Sequence, residues 1–169
     1  MANTDTSGTR LHSLVLRMST IWAVVGGFVL LGVIVANVLS VLGAATINKA
    51  LPGDFELTEL GVAFAAFSFL PYCQIAGLNV TADIFTSGAS RFWLAFFSML
   101  GAAVAFGFGA LLLWRMYLGM LDQRAYDATT AILQIPLWWA YAACLLSLAL
   151  LVLASFASLV NSINDMVKG

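Results

Sequence analysis

The sequence has little charge. Only 9% of its 169 side chains are Asp, Glu, Lys or Arg, against about 25% in an ordinary soluble domain. Because so few charges cannot cover a water-exposed surface, and 62% of the residues are hydrophobic, a soluble globular domain is excluded. Seven basic residues scattered among eight acidic ones form no basic face that would neutralise phosphates, which excludes nucleic-acid binding.

Residues that carry chemistry are also scarce. The only two cysteines, Cys73 and Cys144, form no CxxC pair, so we interpret them as inert thiols rather than a redox centre. The single histidine, His12, has no partner at metal-ligand spacing, which leaves a metal site unsupported. No nucleophile stands at a readable spacing from a base. We therefore expect no catalytic residue, no metal and no cofactor, and we do not expect an enzyme.

What the sequence does contain is four long charge-free runs, residues 18–48, 60–82, 92–114 and 128–164. About 20 apolar residues in a helix cross a ~30 Å hydrocarbon core, and each run has at least 23. The connections between them are too short to fold into a separate domain. We predict an all-α membrane protein, a single domain over residues 1–169, with four transmembrane helices at about 19–42, 60–78, 92–114 and 136–160.

The segment before the first span has a helical pattern of its own. Leu11, Leu14, Val15 and Met18 recur at the spacing of one helix face, which predicts a short amphipathic helix at the membrane surface. Gly43-Ala44-Ala45 resembles a signal-peptide cleavage site, so a cleaved signal is the alternative. An apolar run of about 24 residues is longer than the ~7–15 of a signal peptide, which favours a retained transmembrane helix.

The positive-inside rule gives an orientation by a narrow margin. With four spans both termini share a side, and a cytoplasmic N-terminus puts Arg10, Arg17, Arg91 and Lys168 inside. The arginines next to the first span weigh most. We predict cytoplasmic termini in a bacterial inner membrane, with the connections at residues 43–56 and 115–134 on the outer side.

Polar groups at mid-membrane depth would indicate a transport site, and the predicted spans hold almost none. The deepest amide is that of Asn37, for which a hydrogen bond between helices is a commoner role than substrate binding. Small residues recur at four-residue intervals in two of the predicted spans. In the first span the series ends at Ser40, and a second series lies in the third span. Such faces allow close helix packing, inside the bundle or against a second membrane protein. The candidate packing residues are Gly32, Ala36, Asn37, Gly101, Ala105 and Gly109.

Charged and aromatic residues cluster at the ends of the predicted spans. Amphipathic rings prefer the headgroup level, and charges there fix helix depth or contact lipid headgroups. Solvated boundary charges with no further role are an equally good interpretation. The candidate interface or membrane-anchoring residues are Glu59, Asp83, Arg91, Arg115, Trp138, Trp139 and Tyr141.

Three motifs resemble a known family. They are Phe55-Glu56-Leu57-Thr58-Glu59-Leu60 at the start of the second span, Gly77-Leu78-Asn79-Val80-Thr81-Ala82-Asp83 after it, and Ile135-Pro136-Leu137-Trp138-Trp139-Ala140-Tyr141 at the start of the last span. Over roughly residues 50–145 the sequence resembles the small, four-helix membrane subunit (DctQ type) of tripartite ATP-independent periplasmic (TRAP) transporters. It departs from the family pattern at Asn79, where the family often has His, and at Ala82, where it often has Val.

The resemblance implies an accessory role. In such systems a large membrane subunit carries a sodium-coupled, elevator-type pathway, and a periplasmic binding protein delivers the substrate, commonly an organic acid. The small subunit has no transport site of its own and packs beside the large one in the bilayer. The expected partners are therefore the large membrane subunit, the binding protein and lipid.

Two alternatives come from other classes. A self-sufficient, homo-oligomeric small multidrug-type transporter would need a membrane-embedded carboxylate, and Glu59 is the only candidate, close to the start of its span. A haem-binding subunit of a respiratory-type complex would need histidines or methionines as ligand pairs within the spans, and no span contains histidine.

Overall fold

The computed structural model describes the backbone at residues 5–77 and 91–168, and side-chain surroundings at residues 12–77, 99–160 and 163. Four helices make up this part of the chain, and no β-strand occurs in it. The all-α fold is therefore confirmed. The helices are α1 Asp5–Ile47, α2 Asp54–Ile75, α3 Arg91–Ala125 and α4 Leu137–Lys168.

Three of these helices are long and apolar enough to cross a membrane. The qualifying segments among the described residues are His12–Ile47, Met99–Ala125 and Leu137–Val160. The shorter α2 has 22 residues, two of them acidic in its first turn, and it is not among the qualifying segments. Three candidate spans are thus found, and the fourth crossing stays a prediction.

The amphipathic segment before the first span does not form a separate interfacial helix. It belongs to α1, which runs without a break for 43 residues, or about 64 Å at 1.5 Å per residue. The reason is local, because residues 10–25 contain neither proline nor glycine to end a helix. Val15 is buried against Ile75 and Ala154, whereas Leu14 and Met18 on the predicted face remain exposed.

Several helix ends differ from the predicted span ends, most clearly around the two connections. α3 continues for eleven residues beyond Trp114, because a charged residue such as Arg115 does not terminate a helix. The connection to α4 is therefore residues 126–136 rather than 115–134. α4 begins at Leu137, directly after Pro136, and α2 begins six residues before its predicted span, after Gly53 in a left-handed conformation (φ 77°).

The helices form two antiparallel hairpins, α1–α2 and α3–α4. In the first, Gly26 lies against Ser68 and Gly61 against Val33, so the two backbones approach closely where no side chain separates them. Both α1 and α2 also pack on α4. An indole hydrogen bond joins the hairpins in the interior, from Trp22 Nε1 to Ser147 Oγ at 2.8 Å.

α3 lies at the side of this arrangement. In the described part of the chain its extensive packing partner is α4, against which it places a stripe that includes Ala102 and Gly109. The opposite face of α3 remains exposed over its whole described length. Its exposed residues include Val104, Phe108, Leu111, Arg115, Leu118 and Asp122.

Candidate functional site at the loop end of the bundle

Polar side chains concentrate at one end of the bundle, where the connections 48–53 and 126–136 lie; we call it the loop end. There α1 and α2 are joined by two side-chain hydrogen bonds. Asn37 Nδ2 donates to Thr58 Oγ1 at 2.7 Å, and Ser40 Oγ donates to Asp54 Oδ2 at 2.5 Å while accepting the Leu51 N–H at 3.1 Å. Asn37, singled out from the sequence, thus bonds between helices.

Glu56 ties the second hairpin to the first. Its two carboxylate oxygens accept backbone N–H groups from the α3–α4 connection, Ile132 to Oε1 at 2.7 Å and Leu133 to Oε2 at 2.9 Å. The residue is only 9% exposed. Charge-assisted bonds of this kind are stronger than neutral ones. Glu56 therefore holds the 126–136 connection over the start of α2.

These hydrogen bonds stabilise the ionised form of the carboxyl group. The N–H of Leu133 lowers the pKa of Glu56 from its ordinary value of 4.5; partial burial opposes this effect, and Ile132 and the Thr130 hydroxyl reinforce it. The position of Glu56 in the first turn of α2 also suits a negative charge, since the helix dipole is positive there.

The connection is itself folded rather than extended. Thr130 N–H donates to Ile135 O at 3.0 Å, and Leu137 N–H donates to Ala128 O at 3.0 Å. Its Leu133 side chain occupies the space that a Cβ on Gly53 would need. A side chain at Gly53 would be disfavoured for this reason and because φ there is 77°.

The aromatic candidates surround this connection. Trp138 is half-buried, with the Arg124 guanidinium 5.7 Å from its ring centroid and the Trp139 ring edge-on at 5.8 Å. Trp139 is 60% exposed. Tyr141 lies against Gly119 of α3. All three aromatic residues are thus at the loop end, on the first turns of α4.

The small candidate residues differ in their surroundings. Gly109 packs against Leu151 and Val152, whereas Gly32 and Gly101 have no neighbouring atom within 4 Å of the position that a Cβ would take. Ala36 and Ala105 are half-buried. Gly32 and Ala36 line a shallow apolar groove between α1, α2 and α4, together with Gly61, Phe64 and Trp139.

The charged candidates are not brought together. Glu59 is exposed in the second turn of α2, and Arg115 is exposed on α3. Arg91 begins α3, but its side chain lies outside the described residues, and so do Asp83 and all of the second motif except Gly77. No three His, Cys, Asp or Glu side chains of the described part are grouped so that they would hold a metal ion.

Sequence reasoning missed the contacts that hold this end together. From the sequence Glu56 stands out only as a member of the first motif, because its partners are 76 and 77 residues further along the chain. The close approach at Gly61 had a readable signal, since Gly61, Ala65 and Ser68 share one face of α2 and all three are buried. Trp22, which bonds in the interior, had no signal in the sequence.

The side-chain hydrogen bonds of the loop end described above each join one helix to another helix or to a connection. A family model described as "Tripartite ATP-independent periplasmic transporters, DctQ component" matches residues 30–165. The chain belongs to the DctQ family. Membership confirms the resemblance read from the three motifs and makes the chain a component of a TRAP transporter, the small membrane subunit. No curated protein and no solved structure matches it.

DctQ membership also supports the interpretation of the candidate spans as membrane helices. A transporter component with three helices of sufficient length and hydropathy is a membrane protein. The matched region covers all of α2, α3 and the loop end. The Glu56 contacts and the tryptophans of α4 therefore lie in the part of the chain that the family shares.

Proposed function

We propose that this DctQ chain is the accessory scaffold subunit of a sodium-coupled TRAP transporter for organic acid uptake. It packs beside the large membrane subunit, which carries the transport pathway, and has no substrate site of its own. The family match over residues 30–165 is the observation that carries this proposal.

The use of the polar side chains supports a scaffold role. Asn37 and Ser40 bond to α2, Trp22 bonds to α4, and Glu56 bonds to the α3–α4 connection. These groups hold the helices in fixed positions relative to each other, as a rigid support requires. Glu59, the carboxylate that a self-sufficient exporter would need, is exposed near the start of α2 and away from mid-span.

The orientation is part of the proposal. With both termini in the cytoplasm of a bacterial cell, the loop end faces the periplasm. The folded 126–136 connection, with exposed Tyr126 and Ile132, is then a rigid surface that a substrate-loaded periplasmic binding protein can contact.

The test is uptake by purified components in proteoliposomes. We expect sodium-gradient-driven uptake of an organic acid when this chain, the large membrane subunit and the loaded binding protein are all present. Omitting this chain should abolish uptake or reduce it strongly. This chain alone should show none.

The control is a matched set of liposomes with the sodium gradient collapsed by an ionophore. Uptake by this chain alone would contradict the scaffold role and support the homo-oligomeric transporter. Full uptake without this chain would show that the large subunit needs no scaffold. Uptake that persists after the gradient collapses would remove sodium coupling from the proposal.

A further inference from the structure

The register between α3 and α4 places Arg115, which the sequence predicts at the end of a span, deeper along the bundle. Gly119 lies against Tyr141, Gly109 against Leu151 and Val152, and the ring of Phe106 is 6.2 Å from that of Phe156. The helices are antiparallel, so each residue forward in α3 matches one residue back in α4. Arg115 is therefore level with residues 145–147 of α4.

That level is near the middle of the candidate span of α4. The candidate span of α4 is Leu137–Val160, whose middle is two to three residues from Leu146, or about 4 Å at 1.5 Å per residue. On the other hairpin, the exposed charges Arg17 and Glu59 lie towards opposite ends, and the Gly26–Ser68 contact lies midway between their levels. The Trp22–Ser147 hydrogen bond sets Trp22 at the level of Arg115, only a few residues of α1 from Gly26. Both measures put Arg115 within about 5 Å of the midplane, so that it is at least roughly 10 Å from the nearer edge of a ~30 Å core.

Arg115 also faces away from its own bundle. It lies on the exposed face of α3, between Leu111 and Leu118, and it makes no ion pair or hydrogen bond with the residues that the structure describes. Asp122 shares this face but is two helical turns away, about 10 Å along the axis. An arginine at the bilayer centre is unfavourable unless it is paired, and such residues rarely face lipid.

We infer that the outward face of α3 docks on a transmembrane helix of another protein that presents a carboxylate to Arg115 at mid-membrane depth. The inference rests on the proposed function, since the partner protein would be the large membrane subunit. Arg115 is then a recognition residue that sets the depth and orientation of the partner helix, because a guanidinium and a carboxylate form two directed hydrogen bonds.

Two other occupants fit this face less well. A second copy in the same membrane orientation, related by a two-fold axis along the membrane normal, would bring one Arg115 opposite another at the same depth, and like charges repel. Lipid phosphates lie at the membrane edges, roughly 10 Å or more from this level. A carboxylate on a partner helix is the counter-ion that can reach the site.

The experiment co-expresses the affinity-tagged chain with the large membrane subunit and measures how much of that subunit is retained in mild detergent. We expect Arg115→Leu and Arg115→Glu to reduce retention at least about tenfold, since breaking a desolvated charge pair is strongly unfavourable. Arg115→Lys should retain an intermediate amount. The matched control is Lys49→Glu, the same charge reversal at an exposed position in the 48–53 connection, outside the candidate spans, and it should behave as the unchanged chain.

A rescue separates loss of docking from misfolding. Changing the partner's intramembrane carboxylates one at a time to Lys should restore retention of the Arg115→Glu chain at one position. Retention of Arg115→Leu equal to that of the unchanged chain would overturn the inference while leaving the scaffold role intact. Failure of the unchanged chain to retain the large subunit would overturn both. Self-association lost in Arg115→Leu would assign the face to a second copy instead.

Discussion

Replacing Gly26 by Ala tests the close approach of α1 and α2. A Cβ at Gly26 would overlap the Ser68 hydroxyl, and rotating that hydroxyl would not remove the clash, because the Ser68 Cβ would still be only 2.9 Å away. Favourable carbon contacts lie at about 3.5–4.0 Å. The two helices must therefore separate by roughly 0.5–1 Å at the point where they are closest.

The expected magnitude combines two opposing effects. Overpacking in a well-packed interior costs about 1–3 kcal/mol, and replacing a helical glycine by alanine returns up to about 1 kcal/mol through helix propensity. We therefore expect Gly26→Ala to lower the free energy of unfolding by about 1–2 kcal/mol. For a chain of this size that corresponds to a Tm lower by roughly 2–8 °C.

The adjacent glycine supplies the control. A Cβ at Gly27 would meet nothing within 4 Å, so Gly27→Ala gains the propensity without the clash and should be neutral or stabilising. The assay is thermal unfolding of the purified variants in one detergent, followed by circular dichroism and by monodispersity on size exclusion. Adding Ser68→Gly to Gly26→Ala should recover most of the lost stability. Equal effects of the two alanine substitutions, or no recovery in the double variant, would refute the reasoning.

Three further outcomes are expected. Glu56 has a lowered pKa in the folded protein, so its stabilising effect is full above its ordinary pKa of 4.5 and is lost as the pH falls through the lowered value. Glu56→Gln should therefore be less stable than the unchanged chain at pH 7. Thermal unfolding followed by circular dichroism should show this difference in stability becoming smaller in acid. Trp22→Phe should cost about 0.6–1.7 kcal/mol through its lost hydrogen bond, and a double-mutant cycle with Ser147→Ala should show the two effects to be non-additive. Reversing the charges of Arg124 and Asp127 together should weaken binding-protein-dependent uptake at low salt; unchanged uptake would remove this connection from the docking surface.

Charge-free runs predicted where helices would form because desolvating a charge is costly everywhere in a bilayer. They predicted helix ends less well. Nothing in the sequence stops α3 at Arg115, since hydrogen bonding along a helix continues through a charged residue, and it ends only where the chain turns at Tyr126 and at Asp127, whose φ is 46°. For the same reason, the start of α1 at Asp5, well before its predicted span, could not be predicted from the charges.

The contacting faces were harder to predict than the helices. Spacing of small residues favoured Gly32 and Gly101, which meet no neighbour, while Gly26 and Gly61 make the close contacts. A four-residue repeat shows that a face can approach another helix, but the choice of partner depends on all four helices at once. The role of Glu56 likewise depends on a connection far along the chain, so it became visible only in the folded arrangement.

The side-chain bonds between α1 and α2 have a consequence for biosynthesis. α2 does not qualify by itself as a membrane span, and it carries Asp54 and Thr58 in its first turns. Both bond to α1, to Ser40 and Asn37, and only a six-residue turn separates the two helices. We therefore expect α2 to leave the translocation channel together with α1 as a preformed pair. If α1 is replaced by an unrelated hydrophobic segment in a nascent chain, α2 should fail to integrate into the membrane.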